Sequence, residues 1–152
     1  MYKMLFNQDI TIYNYVATDD KAFYKRTFIK NCHYEKRTRT EITKQGVQQI
    51  RENFIIIRDI KNYIPINQWN KYSAENPEEL NKWTLTGGGG ELATYIIKGD
   101  FIFDFDMKEP ILSQIEQFEK ELKQNGIEWR RVKEYEEFLN ISPMINHVEV
   151  IC

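Results

Sequence analysis

NKWTLTGGGGELATYIIKGDFIFDFD, residues 81–106, is the stretch from which the rest of the chain can be read. Two β-rich runs, WTLT at 83–86 and LATYIIK at 92–98, flank four consecutive glycines, Gly87, Gly88, Gly89 and Gly90. A Gly99-Asp100 step then leads into the alternating FIFDFD of 101–106. Threonine, tyrosine, isoleucine and phenylalanine suit a pleated, half-buried surface, whereas consecutive glycines pack no core and lose more backbone entropy on folding than any other residue. The stretch therefore predicts a hairpin with an exposed, mobile glycine tip, followed by a third strand. No lysine-serine or lysine-threonine step and no helix start follows Gly90, so the quartet lacks what a nucleotide phosphate loop needs.

Upstream, residues 9–16 alternate β-branched and aromatic residues with polar ones and predict a strand that turns at 17–20. In 22–34 the alternation changes phase midway, which a bulged or bent strand accommodates, because a bulge shifts the pattern by one residue. Residues 36–43 are charged and β-branched in alternation, as in an exposed strand or arm, and Gln45-Gly46 ends them. After an ambiguous polar run at 47–53, Phe54-Ile55-Ile56-Ile57 reads as a strand buried on both faces. Pro65 marks 63–66 as an edge or extended segment. Residues 67–80 read as a long surface connection with one helical turn starting near Asn76-Pro77. Downstream, Pro110 opens an amphipathic helix with Ile111, Leu112, Ile115, Phe118 and Leu122 on its apolar stripe and a stop at Asn125-Gly126. The tail, 144–152, alternates again and predicts a closing strand.

These elements make the chain mainly β with one amphipathic helix, an α+β arrangement with long loops. A length of 152 residues is one domain's worth, 1–152, able to bury roughly two thirds of its unfolded surface. The net charge of -2 gives no global attraction to nucleic acid, but the charge is unevenly distributed. Residues 21–71 carry twelve Lys or Arg against four Asp or Glu; residues 91–139 carry twelve acidic residues against seven basic ones. Such asymmetry makes either self-complementary surfaces for head-to-tail assembly or two solvated faces, the second being the commoner case. Two cysteines, Cys32 and Cys152, are too few for a disulfide framework and fit a reducing compartment. The amino terminus is too short and too polar for a signal peptide, and no apolar run approaches membrane-spanning length, so neither secretion by that route nor membrane insertion is expected.

Candidate chemistry is sparse. Asp104 and Asp106, two apart on an expected strand, share a face and could bring two oxygen ligands to a magnesium ion, with Lys108 orienting a water, as in a metal-dependent nuclease. The same alternation of acids with Phe101, Phe103 and Phe105 is what any half-buried strand shows. Cys32 has His33 beside it, but neighbours on a strand point to opposite faces, so the pair is not an activated thiol. His33 and His147, with cysteines at no ligand spacing, do not compose a zinc site. The basic residues Lys36, Arg37 and Arg39 could touch phosphate, yet no interleaved aromatics or recognisable module accompany them. Trp69, Trp83 and Trp129 with nine tyrosines favour an extensive protein interface.

Several segments, in order, resemble a family of small tailed-bacteriophage head-tail joining proteins, also called head-completion, stopper or minor capsid proteins. The similar features are Asp9-Ile-Thr-Ile-Tyr-Asn14, Tyr24-Lys-Arg-Thr27 running to His33-Tyr-Glu35, Gly46, Ile64-Pro65, Trp83-Thr-Leu85, Lys98-Gly99 and the closing Met144-Ile-Asn-His-Val-Glu-Val150. The glycine quartet departs from the short turn expected there, and the segment before His147 lacks the usual Asn-Arg-rich turn. The resemblance implies a small β-barrel-like domain, not an enzyme and without a cofactor, assembled as a homo-oligomeric ring below the portal in the virion neck after synthesis in the bacterial cytoplasm. Its partners would be the portal or an adaptor, tail proteins, and passing double-stranded DNA without sequence specificity, with no membrane. On that reading Lys36, Arg37, Arg39, Asp104 and Asp106 are expected at subunit interfaces, and Gly87 to Gly90 are expected to form a lumen-facing gate. Residues 127–139 fit a helical face by periodicity, while the resemblance favours a strand; both readings stand at this level.

Overall fold

The computed structural model describes residues 4–75, 82–88, 90, 92–142 and 145–152. Its elements are β1 (Gln8–Ala17), β2 (Ala22–Thr43), β3 (Gly46–Ile57), α1 (Ile66–Glu75), β4 (Tyr95–Lys98), α2 (Ile111–Gln124), β5 (Trp129–Arg131), β6 (Glu134–Phe138) and β7 (His147–Ile151). The fold is mainly β, built on one seven-stranded antiparallel sheet ordered β5-β4-β1-β2-β3-β7-β6. The sheet is not closed, because its edge strands β5 and β6 do not pair with each other. They are nevertheless consecutive in the chain, separated only by Val132 and Lys133. The Val132 amide donates to the Thr94 carbonyl (2.8 Å), just before β4, and the Lys133 amide donates to that of Ile151 (2.9 Å), on β7.

The phase change expected in β2 is a bulge. Gln8 pairs with Cys32 and Ile10 with Ile29, so β2 carries one residue more than β1 between the two pairs. Asn31 absorbs it with φ +60°, a left-handed conformation that asparagine tolerates better than most residues. Through this bend β2 runs on as a single strand, joining the two segments expected separately. Phe54 to Ile57 are buried on both faces, as their unbroken apolar run predicts.

The two faces of β1 enter different clusters. Ile10 and Ile12 join Ile55, Ile57, Trp83, Leu85, Ile96, Val132, Val148 and Val150 on the inner side of the sheet. Tyr13 faces the other way, with Tyr24, Tyr95 and Ile97, and receives Ile115, Phe118 and Leu122 from α2. The helix ends as Asn125-Gly126 predicts. The Ile127 amide bonds the Leu122 carbonyl (2.9 Å) and the Gly126 amide that of Lys123 (3.2 Å), with Gly126 at φ +64°. These are the two bonds of a Schellman stop, and Ile127 packs in the same cluster as Leu122.

Three expectations need correction. There are two helices among the described residues, not one. α1 lies where the sequence predicts a surface connection and buries Trp69 and Ser73, one turn apart; Trp69 packs with Val16 and Phe23 at the end of the sheet. The turn expected at Asn76-Pro77 lies outside the described residues. Trp83 to Thr86 is no ladder strand: Trp83 makes one bridge, to Tyr63, and β4 is confined to Tyr95–Lys98. Residues 101–106 form no strand either, because side chains satisfy their backbone. Thr11 Oγ1 accepts from the Phe101 amide (3.1 Å), Arg26 Nε donates to the Phe101 carbonyl (3.0 Å), and the Tyr13 hydroxyl accepts from the Phe103 amide (3.0 Å). Of the two readings open for 127–139, the strand holds: the segment carries β5 and β6.

Both cysteines are free and buried. Burial pushes the Cys32 and Cys152 thiols, and the Tyr13 hydroxyl, up to about 12. The folded state therefore holds these groups protonated where the unfolded chain releases them. That contribution is fully present below the unfolded thiol value of about 8.5 and is lost as pH rises toward the folded values. Unfolding by base is expected to begin above roughly pH 9, with thiol labelling following loss of the circular-dichroism signal. Labelling of both thiols in fully folded protein near neutral pH would contradict this.

Candidate functional site

Past Glu35 and Asn53 the β2–β3 ribbon leaves the body of the sheet. β7 pairs with β3 only from Phe54 to Ile57, and the last contacts of the tail are the reciprocal Asn53–Cys152 backbone bonds (2.7 and 3.0 Å). Beyond them, Lys36 to Thr43 pair in register with Gly46 to Asn53 as a two-stranded arm, about 25 Å long at the strand rise. Its side chains are exposed almost throughout, and at its tip Ile42 (83% exposed) lies directly across from Val47 (69% exposed). An isolated two-stranded ribbon is only marginally stable in water, and an exposed apolar pair at its end adds nothing to this chain's own core.

The register divides the arm into two unlike faces. Directly opposed residues share a face. One face therefore carries Lys36, Thr38, Thr40 and Ile42 with Asn53, Arg51, Gln49 and Val47; the other carries Arg37, Arg39 and Glu41 with Glu52, Ile50 and Gln48. The second face is satisfied from within: Arg37 lies 3.7 Å over the Phe54 ring and 3.3 Å from Glu35, and Arg39 is 3.6 Å from Glu52. The first face continues the inner side of the sheet through Tyr34 and Ile55 and contains no carboxylate. Lys36 reaches Glu128 at 3.4 Å, whereas Arg51 has no ion pair among the described residues. Of the expected interface residues, Lys36 thus separates from Arg37 and Arg39. Ile42, Val47 and Arg51 are additional residues that only the pairing register assigns to one surface.

A model of DUF6751, a family of unknown function, matches residues 5–152. The chain belongs to that family. No curated protein and no solved structure matches this DUF6751 chain.

Elsewhere in the DUF6751 chain, Asp104 and Asp106 are exposed on the segment that crosses α2, while Phe101, Phe103 and Phe105 turn into the α2 cluster. The alternation is real, though it belongs to an extended segment and not to a strand. Asp106 Oδ1 accepts from the Lys108 amide (3.0 Å), closing a turn. No third ligand joins the two aspartates: among the described residues no group of three or more His, Cys, Asp or Glu could hold a metal ion. His33 bonds Leu5 O (3.2 Å) and Glu35 (3.3 Å); His147 stacks on Phe138 and lies 3.3 Å from Glu149. The two histidines thus have separate partners. Trp69 and Trp83 are buried and Trp129 packs beside α2, so much of the aromatic content serves the core.

The glycine stretch is anchored at its start. The Gly88 amide donates to the Lys133 carbonyl (2.8 Å), and the Thr94 amide to that of Thr86 (3.1 Å). Gly88 and Gly90 are exposed, Gly87 is half-buried, and Gly89 lies outside the described residues. A Cβ on Gly87 would sit 2.9 Å from the Lys133 carbonyl oxygen. Gly87→Ala is therefore expected to lower stability by about 1–3 kcal/mol, from forcing backbone apart where β5 passes into β6. Gly90→Ala, with open space around it, should cost far less in the same denaturant titration.

Proposed function

We propose that this chain is a structural subunit of a tailed-phage neck, forming a ring below the portal that extends the DNA channel, helps retain packaged DNA and docks the tail. The observation that carries the reading is the arm: a ribbon about 25 Å long with one carboxylate-free face and an apolar tip, which its own chain leaves uncovered. A subunit that works by packing against copies and neighbours has a use for such an element; a self-contained monomer has none.

Two further features support it. β5 and β6 read as one strand bent at Val132 and Lys133, which would curl the sheet into a barrel-like wall suited to lining a channel. The order of short segments along the sequence also resembles head-tail joining proteins. On this reading the Gly87 to Gly90 loop faces the lumen.

The test is genetic. In a phage that carries this gene, its deletion should give DNA-filled heads that lose their DNA and lack tails, restored by the gene in trans. Normal tailed, DNA-retaining particles would overturn the proposal. Removing Gly87 to Gly90 alone tests the gate: normal DNA retention with normal ring assembly would remove that assignment and leave the rest.

A further inference from the structure

Resting on the reading of this chain as a ring subunit, we infer that the inner face of the arm docks on the β6–β7 edge of a second copy, placing Arg51 against its Glu136 and Glu149. The two surfaces match in charge and in the order of their features.

The receiving surface is unusual by itself. Glu136 and Glu149 are direct cross-strand partners, a like-charge pairing that destabilises a sheet. Glu134 stands two residues along the same face of β6. Together with Tyr135, Ile151 and Phe54, whose ring also carries Arg37 of the same chain at 3.7 Å, these carboxylates line a cleft of about 270 Å³. Glu149 has His147 at 3.3 Å, while Glu136 has no ion pair among the described residues. Among the described residues β6 pairs on one side only, with β7, which makes it an edge strand. A guanidinium suits this place: its aliphatic stem lies on apolar surface while its planar head engages two carboxylates.

The arm offers that group. Arg51 is exposed on the face without carboxylates, and Val47, across from Ile42, lies four residues farther out, about 13 Å. Farther along the chain from Glu136, Ile141 (56%) and Ile145 (55%) are exposed, and Asn146 Oδ1 accepts from the amides of Ile141 and Ser142 (both 3.0 Å). Along the arm the order is cation and then apolar tip. Along the edge it is acid pair and then exposed isoleucines. Two different patches meeting head to tail give a heterologous contact, which closes into a ring when the rotation allows.

The test is charge exchange in the full chain, read by sedimentation over a concentration series. Arg51→Glu and Glu136→Lys should each weaken self-association on the order of tenfold or more, and the double variant should recover it. Both positions are exposed, so the melting temperature at a concentration where the chain is monomeric controls for folding; Glu136→Lys should raise it slightly by relieving the Glu136–Glu149 pairing. Wild-type assembly that neither exchange weakens, or a double variant no better than the singles, overturns this docking and leaves the ring reading intact. A wild-type chain that stays monomeric at every concentration overturns both.

Discussion

Phe118→Ala is expected to lower the unfolding free energy by about 3–5 kcal/mol, a large share of the roughly 5–15 kcal/mol available to a domain of this kind. Phe118 is fully buried and, with Ile115 and Leu122, packs α2 on the sheet. Its ring lies 4.9 Å from that of Tyr13 and 5.4 Å from that of Tyr95 below, and 5.3 and 5.1 Å from Phe103 and Phe105 on the crossing segment. Truncation removes contact with β1, β4 and residues 101–106 at once. Those elements are held apart by other side chains and cannot simply collapse into the space. The expected result in urea or thermal melting is a single transition at much lower midpoint, with near-ultraviolet aromatic dichroism reduced. Leu112→Ala is the control and should cost little: predicted on the apolar stripe, Leu112 instead lies on the flank of α2, 58% exposed and outside the cluster. If the two variants melted alike, the assignment of the helix face would be wrong.

Asn14→Leu should cost about 2–4 kcal/mol for a different reason, the stranding of buried backbone groups. Asn14 is a buried polar residue on the inner face of β1, 1% exposed between Ile12 and Val16. Its Nδ2 donates to the Thr84 carbonyl (2.6 Å) and to Thr94 Oγ1 (3.0 Å), and its Oδ1 accepts from the Thr84 amide (3.1 Å). One side chain thus replaces the strand partner that Thr84 lacks. Leucine keeps the branched shape, but its larger methyls cannot sit at hydrogen-bond distance from these atoms, so overpacking adds to the loss of the bonds. Hydrogen exchange should find the Thr84 amide strongly protected in the wild type and fast in the variant. Unchanged protection would show that another group satisfies it.

That substitution also shows why the glycine hairpin was only partly legible. The β-propensity of residues 83–86 is real, but Asn14 and Thr94 take their backbone groups in place of a ladder. Residues 101–106 repeat the lesson: alternation reports which side is buried, and Thr11, Tyr13 and Arg26 supply the bonds a neighbouring strand would otherwise make. α2 was legible because its stripe is long and its stop signal complete. α1 was not, since it buries only Trp69 and Ser73 within a polar run. In 127–139, Trp129 packs in the α2 cluster while Val132 and Tyr135 face the inner one. The change of face where β5 passes into β6 put apolar residues at three-residue spacing and imitated a helix.

The arm was visible as charged, β-branched alternation in 36–43, and its turn as Gln45-Gly46. Its two faces were not, because they depend on which residue of β3 stands across from which residue of β2. Arg37 and Arg39 look equivalent to Lys36 in sequence; the register sends them to the face whose charges are already paired.

The most direct test of the arm as an assembly element is the mass of the particle in solution. Residues 38–51 would be replaced by a two-residue Asn-Gly turn, a length suited to a hairpin, and the variant compared with the full chain by sedimentation over a concentration series. The account predicts that the wild type associates with increasing concentration, while the shortened chain keeps its circular-dichroism spectrum and stays monomeric. A shortened chain that assembles as the full chain does would contradict it.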